Sequence, residues 1–89
     1  MHERKESFVS LESVFEVVKK NVLDILPDVA PDQVTLDVSL KDLGANSLDR
    51  VDVATMSMED LGIHMPMMEL ANVENLRDLV SVLSTKLQG

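Results

Sequence analysis

The sequence predicts an all-helical fold, a small bundle of three main helices with a short additional one before the last. Its 89 residues are enough for one modest core. Hydrophobic residues make up 45% of the chain but aromatic residues only 2%, so aliphatic side chains and methionine must build that core. Apolar residues recur with helical spacing in separate stretches. We therefore treat residues 1–89 as a single domain.

The first helix is predicted over residues 8–26. Its apolar positions have the spacing of a helix with one buried stripe. They are Leu11, Val14, Phe15, Val18, Val22, Ile25 and Leu26. Ser7 or Ser10 can cap its start, and Pro27 ends it. The charged residues 1–6 before it are expected to be flexible.

Residues 27–46 lack sustained helical periodicity and predict a long ordered loop. Loops of this length are uncommon in compact domains unless they are functional, which directs attention to the residues that close it.

The second helix is predicted over residues 47–61, with Asn46 or Ser47 as its cap and Gly62 at its left-handed C-terminal position. It carries two apolar stripes, and periodicity alone does not decide which one is buried. The first stripe is Val53, Ala54, Ser57 and Leu61, and the second is Leu48, Val51, Thr55 and Met58.

Two further helices follow. A short one is predicted over residues 67–72, after Pro66, and the last one over residues 75–87, with Asn75 as its cap. The apolar face of the last helix consists of Leu76, Leu79, Val80, Leu83 and Leu87.

The charge balance bears on possible partners. Sixteen acidic residues and eight basic ones give a formal net charge of −8. Such a surface repels nucleic acid and favours encounter with proteins whose docking surfaces are basic. The sequence has no cysteine, which excludes a disulfide and a thiolate nucleophile. No long apolar run is present, so we expect a cytoplasmic monomer without a membrane partner.

The residue pattern does not predict a catalyst or a metal site. His2 and His64 are far apart in the sequence and belong to no metal-ligand or acid–base motif. No pocket-forming sequence accompanies the acidic residues of the second helix, so they are interpreted as solvated charges, some of which meet basic partners. These acidic residues are Asp49, Asp52, Glu59 and Asp60.

The segment DLGANSL, residues 42–48, resembles the modification site of acyl carrier proteins, in which a serine at the start of the second helix receives phosphopantetheine. Residues 61–66, LGIHMP, resemble the end of that helix in the family, and residues 75–80, NLRDLV, the start of its fourth helix. This resemblance implies an acyl-carrier-like four-helix bundle with a short third helix and no enzyme activity. It also implies 4′-phosphopantetheine attached covalently to Ser47, holding an acyl group as a thioester.

Physical chemistry favours the same serine. A helix start presents unpaired N–H groups and the positive end of the helix dipole, where a phosphodiester is stabilised. Gly44 permits a tight turn before the helix, and Leu43 can anchor the loop to the core so that Ser47 stays outside. Considered alone, a serine in this position is more often only a cap. The surrounding motif is what favours attachment.

Two residues, Asn46 and Arg50, depart from the usual pattern of the family. Most carrier proteins have aspartate before the serine, whereas Asn46 keeps the capping ability but lacks the negative charge, so we expect modification to depend on the particular transferase. Arg50 lies three residues after Ser47, on the same helical face and within reach of an attached phosphate. Its alternative role is that of a solvated surface charge.

The stretch GANSLDRVDV, residues 44–53, resembles more closely the free-standing donor carriers of polyketide β-branching cassettes. This resemblance implies four partners: a phosphopantetheinyl transferase, an acyltransferase, a ketosynthase-like decarboxylase that converts malonyl to acetyl, and a hydroxymethylglutaryl-CoA synthase-like enzyme. The alternatives are a generic fatty-acid or polyketide carrier, a peptidyl or aminoacyl carrier, and an unmodified helical interaction module.

The family resemblance also assigns the two stripes of the second helix. It leaves Val53, Ala54, Ser57 and Leu61 for the core. The partner-facing residues are then Leu48, Asp49, Arg50, Val51, Asp52, Thr55, Met58 and Glu59.

Three methionines, Met58, Met67 and Met68, stand where many relatives are acidic, which predicts an apolar and adaptable docking surface. Core filling is the alternative for each of them. We expect Met58, together with Asp52 and Arg50, to set the choice of partner.

Overall fold

The computed structural model describes residues 11–88. Within this range the chain forms three α-helices and two short 3-10 helices. The α-helices are α1 (Leu11–Ile25), α2 (Ser47–Leu61) and α3 (Leu76–Gln88), and the 3-10 helices are Pro31–Gln33 and Met67–Leu70. The flexible start expected for residues 1–6, the caps expected at Ser7 or Ser10, and helical residues 8–10 lie outside the described part of the chain. None of the helices in that part is long and apolar enough to cross a membrane.

α1 is held by one fully buried stripe. Val14, Val18 and Val22 lie four residues apart on this helix, and none of them is exposed to solvent. The helix packs against both α2 and α3. It ends before Pro27, whose ring cannot continue a helix, and the last turn is closed by a hydrogen bond of 2.8 Å from Leu26 N to Val22 O.

The core lies where the three helices meet, and it is aliphatic. Its buried members come from every α-helix, from the long loop and from Ile63, the second residue after α2. They are Val14, Val18, Val22, Val34, Val53, Met58, Ile63, Leu76, Leu79, Val80 and Leu83. Because burying apolar surface is the main favourable contribution to folding, these side chains fix the relative positions of the helices.

The loop between α1 and α2 is tied to the start of α3. Leu76 N donates to Val38 O at 2.9 Å, and Arg77 N donates to Leu36 O at 2.9 Å. These are N–H groups of the first helical turn, which have no acceptor inside their own helix. The loop therefore caps α3 and is fixed in position, and its last residues lead into α2.

The two elements after α2 differ slightly from the expected ranges. The short helix after Pro66 is one turn of 3-10 helix that ends at Leu70 instead of residue 72. α3 begins at Leu76, and Asn75 caps it by accepting a hydrogen bond from Asp78 N at 2.9 Å. A turn of only four residues cannot complete the hydrogen-bond pattern of an α-helix, which accounts for its 3-10 geometry.

One buried polar contact joins α1 to α2. Asn21 is fully buried, and its Nδ2 donates to Ser57 Oγ at 3.0 Å and to Asp60 Oδ2 at 3.1 Å. Ser57 is also fully buried. These hydrogen bonds offset part of the cost of burying the two polar side chains, although Asn21 Oδ1 is buried without a partner in the described chain, so the contact favours one register between α1 and α2.

We predict that Asn21→Ala lowers the free energy of unfolding by about 1 to 3 kcal/mol, because it leaves the Ser57 hydroxyl buried without its donor. Urea denaturation followed by circular dichroism measures this change. Lys20→Ala is the matched control, since Lys20 forms an exposed ion pair of 3.6 Å with the same Asp60, and its loss is expected to cost less than about 1 kcal/mol. Equal effects of the two substitutions would contradict a structural role for the buried contact.

Candidate functional site

α2 begins with a reciprocal cap. Asn46 Oδ1 accepts a hydrogen bond of 2.8 Å from Asp49 N, and Asp49 Oδ2 accepts one of 3.2 Å from Asn46 N. The backbone of Asn46 is extended, so Ser47 is the first helical residue. Of the two caps considered from the sequence, Asn46 is the one the structure uses. The Ser47 hydroxyl takes no part in the cap, and the residue is exposed.

The chain reaches this helix start through a turn anchored on both sides of Gly44. Gly44 has a φ of 95°, in the left-handed region that only glycine adopts without strain. Leu43 packs partly against the core, and Ala45 is buried, with its N–H donating to Leu40 O at 3.0 Å. These two anchors hold the turn against the protein, so that Ser47 emerges at a fixed point on the surface.

A positive charge lies beside the serine hydroxyl. Arg50 Nη2 donates to Ser47 Oγ at 3.3 Å, as their spacing on one helical face allows. A guanidinium cannot accept a proton at neutral pH, so this neighbour does not act as a general base. Within residues 11–88, no histidine or carboxylate is hydrogen-bonded to Ser47 Oγ. The hydroxyl is therefore presented to an external reagent and is not activated as a nucleophile.

An apolar groove of about 550 Å³ opens at Ser47. It runs between α2, the end of the long loop, and the stretch of residues 67–79. Its buried lining residues are Ala54, Leu76 and Leu79, whereas its polar lining includes Ser47, Arg50 and Lys41. The site thus combines an exposed hydroxyl, two cations and an apolar groove, which suits a phosphate-linked group with an extended organic chain.

The predicted partner face of α2 is exposed in most of its positions. Leu48 is 69% exposed and Val51 44%, which is unusual for residues of this type. Asp52 and Glu59 are exposed as well, and Asp49 and Thr55 are half-buried.

The predicted outward position of Met58 is wrong. Its side chain is only 7% exposed and belongs to the core. Met58 lies four residues after Ala54 and next to Ser57, so the buried side of α2 is wider than the single stripe expected from the sequence. A buried methionine offers no docking surface, and core filling, the alternative reading, applies here. Leu61, expected in the core, is half-buried at the edge of it.

The other two methionines behave differently. Met67 is 37% exposed and lines the groove, and Met68 is 78% exposed. Sequence reasoning did not find the groove, nor that Lys41 lines it together with Ser47. No local signal marks these residues, because they come together only through the packing of the loop and of residues 67–79 against α2.

Comparison of the sequence with known proteins identifies its family. Residues 16–83 match the family model described as the phosphopantetheine attachment site. The chain is 36% identical over 78 residues to the polyketide biosynthesis acyl-carrier-protein AcpK of Bacillus subtilis, covering 88% of this chain and 95% of that protein.

Two relatives described simply as acyl carrier protein are similarly close. The protein of Petrotoga mobilis is 36% identical over 77 residues, which cover 85% of this chain and 89% of the relative. The protein of Campylobacter hominis is 39% identical over 69 residues, which cover 76% and 86%. The matched regions include α2 and nearly the whole length of each relative. The chain therefore belongs to the acyl carrier protein family, whose members carry phosphopantetheine and are carriers rather than catalysts.

Proposed function

We propose that Ser47 is the attachment point of phosphopantetheine, and that the chain donates an acetyl group, formed from malonyl, to a hydroxymethylglutaryl-CoA synthase-like enzyme in polyketide β-branching. The observation that carries the attachment is the position of Ser47. Its hydroxyl is exposed at the start of α2, outside the cap, and accepts a hydrogen bond from Arg50.

The residues around Ser47 fit the group. When bound, phosphopantetheine supplies the thiol that holds an acyl group as a thioester, and the chain has no cysteine of its own to do so. Asn46 and Asp49 fix the first turn of α2, and Arg50 places a positive charge where the phosphodiester would lie. The chain's part is thus to present and orient the arm, in an acyl-carrier bundle whose short third helix corresponds to Met67–Leu70.

The polyketide role is supported by the relative named a polyketide biosynthesis acyl-carrier-protein, and the β-branching role by the resemblance of residues 44–53 to donor carriers. In this role, an acyltransferase loads malonyl and a ketosynthase-like partner releases carbon dioxide to leave acetyl. With the synthase-like enzyme, the acetyl methyl carbon loses a proton and bonds to the β-keto carbon of a chain on another carrier, whose ketone oxygen takes up a proton and becomes a hydroxyl. Cleavage of the donor thioester by water frees the new branch as a carboxylate and returns the thiol of the arm. A generic fatty-acid or polyketide carrier is the second candidate, supported by the relatives named simply acyl carrier protein.

Partner enzymes are proposed to dock on the exposed side of α2. Leu48 and Val51 offer apolar contacts next to Ser47, and Asp52 and Glu59 offer charges to basic partners. The half-buried Asp49 and Thr55 belong to the border of this surface. Met58 is not part of it.

We predict that incubation with coenzyme A and a broad-specificity phosphopantetheinyl transferase adds the mass of one phosphopantetheine group to the native chain and none to Ser47→Ala. Intact-protein mass spectrometry measures the addition. Ser81→Ala, an exposed serine on α3, is the matched control and is expected to be modified like the native chain. A folded native chain that several such transferases leave unmodified would contradict the carrier role and favour an unmodified interaction module.

We predict that the malonyl-loaded protein, mixed with a ketosynthase-like decarboxylase, a synthase-like enzyme of a β-branching cassette and a β-ketoacyl acceptor carrier, yields the branched product on the acceptor. Mass spectrometry of both carriers follows the malonyl, acetyl and product species. The Petrotoga mobilis acyl carrier protein, 36% identical, is the control donor and is expected to react much more slowly. Equal rates for the two donors would support the generic carrier instead.

We predict that Leu48→Glu lowers the kcat/KM of the synthase-like enzyme for the acetyl-loaded chain by about tenfold or more, equivalent to roughly 1.4 kcal/mol, because an exposed apolar anchor is replaced by a charge. Leu11→Glu is the control, since Leu11 is 58% exposed on α1. Both variants should retain the melting temperature of the native chain. An unchanged kcat/KM for Leu48→Glu would remove this residue from the docking surface.

A further inference from the structure

We propose that Arg50 and Lys41 together bind the phosphodiester that joins the arm to Ser47, and that the neutral Asn46 leaves Arg50 available to do so. This inference rests on the attachment proposed above and goes beyond it, because it assigns a binding function to two residues outside the attachment point. The ligand class is a phosphodiester monoanion, and the residues act as positioning groups for the arm.

Arg50 already lies within hydrogen-bond distance of Ser47. Arg50 Nη2 lies 3.3 Å from Ser47 Oγ, which becomes the bridging oxygen of the phosphodiester on attachment. The charged phosphate oxygens are two covalent bonds from that oxygen, so a guanidinium already within hydrogen-bond distance of Oγ reaches them without any movement of α2. A guanidinium has five N–H donors, and a charge-assisted bond to phosphate is stronger than the long bond to a hydroxyl.

The basic residues of the described chain differ in whether they have a carboxylate partner. Three of the described cations have carboxylate partners: Lys20 pairs with Asp60 at 3.6 Å, Arg77 with Asp37 at 2.7 Å, and Lys86 with Glu69 at 2.8 Å. Lys19, on α1, has no such partner within residues 11–88, and it does not line the groove at Ser47. Within residues 11–88, neither Arg50 nor Lys41 has a carboxylate within 4.0 Å, although acidic residues outnumber basic ones two to one. Both cations line the groove that opens at Ser47. Glu74 lines the groove as well, so two cations and one carboxylate give this lining a formal net charge of +1 on an acidic protein.

The cap of α2 is formed without a negative charge at residue 46. Asn46 caps α2 through its neutral Oδ1, and the Asp49 carboxylate is held by Asn46 N. An aspartate at position 46, usual in the family, would cap equally well, but its charge would repel the phosphodiester and compete for Arg50. The asparagine keeps the hydrogen bond of the cap and removes that charge. Asparagine in place of the usual aspartate at residue 46 therefore leaves Arg50 available to the phosphodiester.

Lys41 and Arg50 line the same groove as apolar residues such as Val51 and Leu70. A phosphodiester bound by these cations keeps the start of the arm at this groove. A partner that draws the arm out must then break an ionic contact, which salt weakens.

The test compares apo protein with holo protein whose single modification has been verified by mass spectrometry. Nitrogen-15 NMR observes the Nε–H group of Arg50, and phosphorus-31 NMR observes the phosphodiester. We expect the Arg50 signal to shift between apo and holo protein. The phosphorus signal of Arg50→Ala is expected to move towards that of the same phosphodiester in urea-unfolded holo protein. Arg50→Lys should retain part of the native shift, and Lys41→Ala and Asn46→Asp should each reduce it.

Arg77→Ala is the control, because Arg77 is an exposed arginine that is paired with Asp37 and does not line the groove. It is expected to leave the phosphorus signal unchanged. Raising the salt concentration from about 0.1 to 1 M should bring the native signal towards that of Arg50→Ala, because screening shortens from about 10 to 3 Å. If the Arg50 signal is the same in apo and holo protein, and Arg50→Ala leaves the phosphorus signal unchanged, the phosphodiester site is overturned while the attachment at Ser47 stands. A chain that accepts no phosphopantetheine would overturn both proposals.

Discussion

The reciprocal hydrogen bonds between Asn46 and Asp49 are the contact on which the site depends. They decide that α2 begins at Ser47 and not one residue earlier or later. Because successive helical residues point about 100° apart, a shift of α2 by one residue against the rest of the protein would turn the side chains of Ser47 and Arg50 together away from the groove. The same cap leaves the Ser47 hydroxyl outside the hydrogen-bond pattern of the helix, so it is accessible for modification.

Tertiary structure supplies the setting for this cap. The long loop carries no α-helix, yet it is rigidly held, since its carbonyl groups at Leu36 and Val38 accept the first N–H groups of α3. Leu43 and Ala45 attach the end of the loop to the core. The loop therefore transmits the position of α3 to the start of α2, and the groove forms in the space enclosed by these elements.

The two sides of α2 have different roles, one in the core and one at the surface. The inner side, including Met58, packs in the core and stabilises the contact with α1, and the buried Asn21 and Ser57 favour one register of that contact. The outer side exposes Leu48 and Val51 beside acidic side chains. Such a surface costs some solubility and is typical of a protein that meets its partners transiently. Arg50, hydrogen-bonded to Ser47, is a cation in this acidic surface at the place where an anionic group is proposed.

Local patterns in the sequence determined the helical class, the position of α2 between Asn46 and Gly62, and Ser47 as the candidate attachment point, because caps, glycine conformations and periodicity act within a few residues. Only the tertiary structure decided that Met58 is buried, that residues 67–70 form a 3-10 turn, and that Lys41 joins Arg50 in one groove. Burial and convergence depend on segments distant in the chain: Met58 is buried in a core built from all three helices, and Lys41 comes to line the same groove as Ser47 only through the folded loop. A helix with two apolar stripes does not by itself specify which neighbours it will meet.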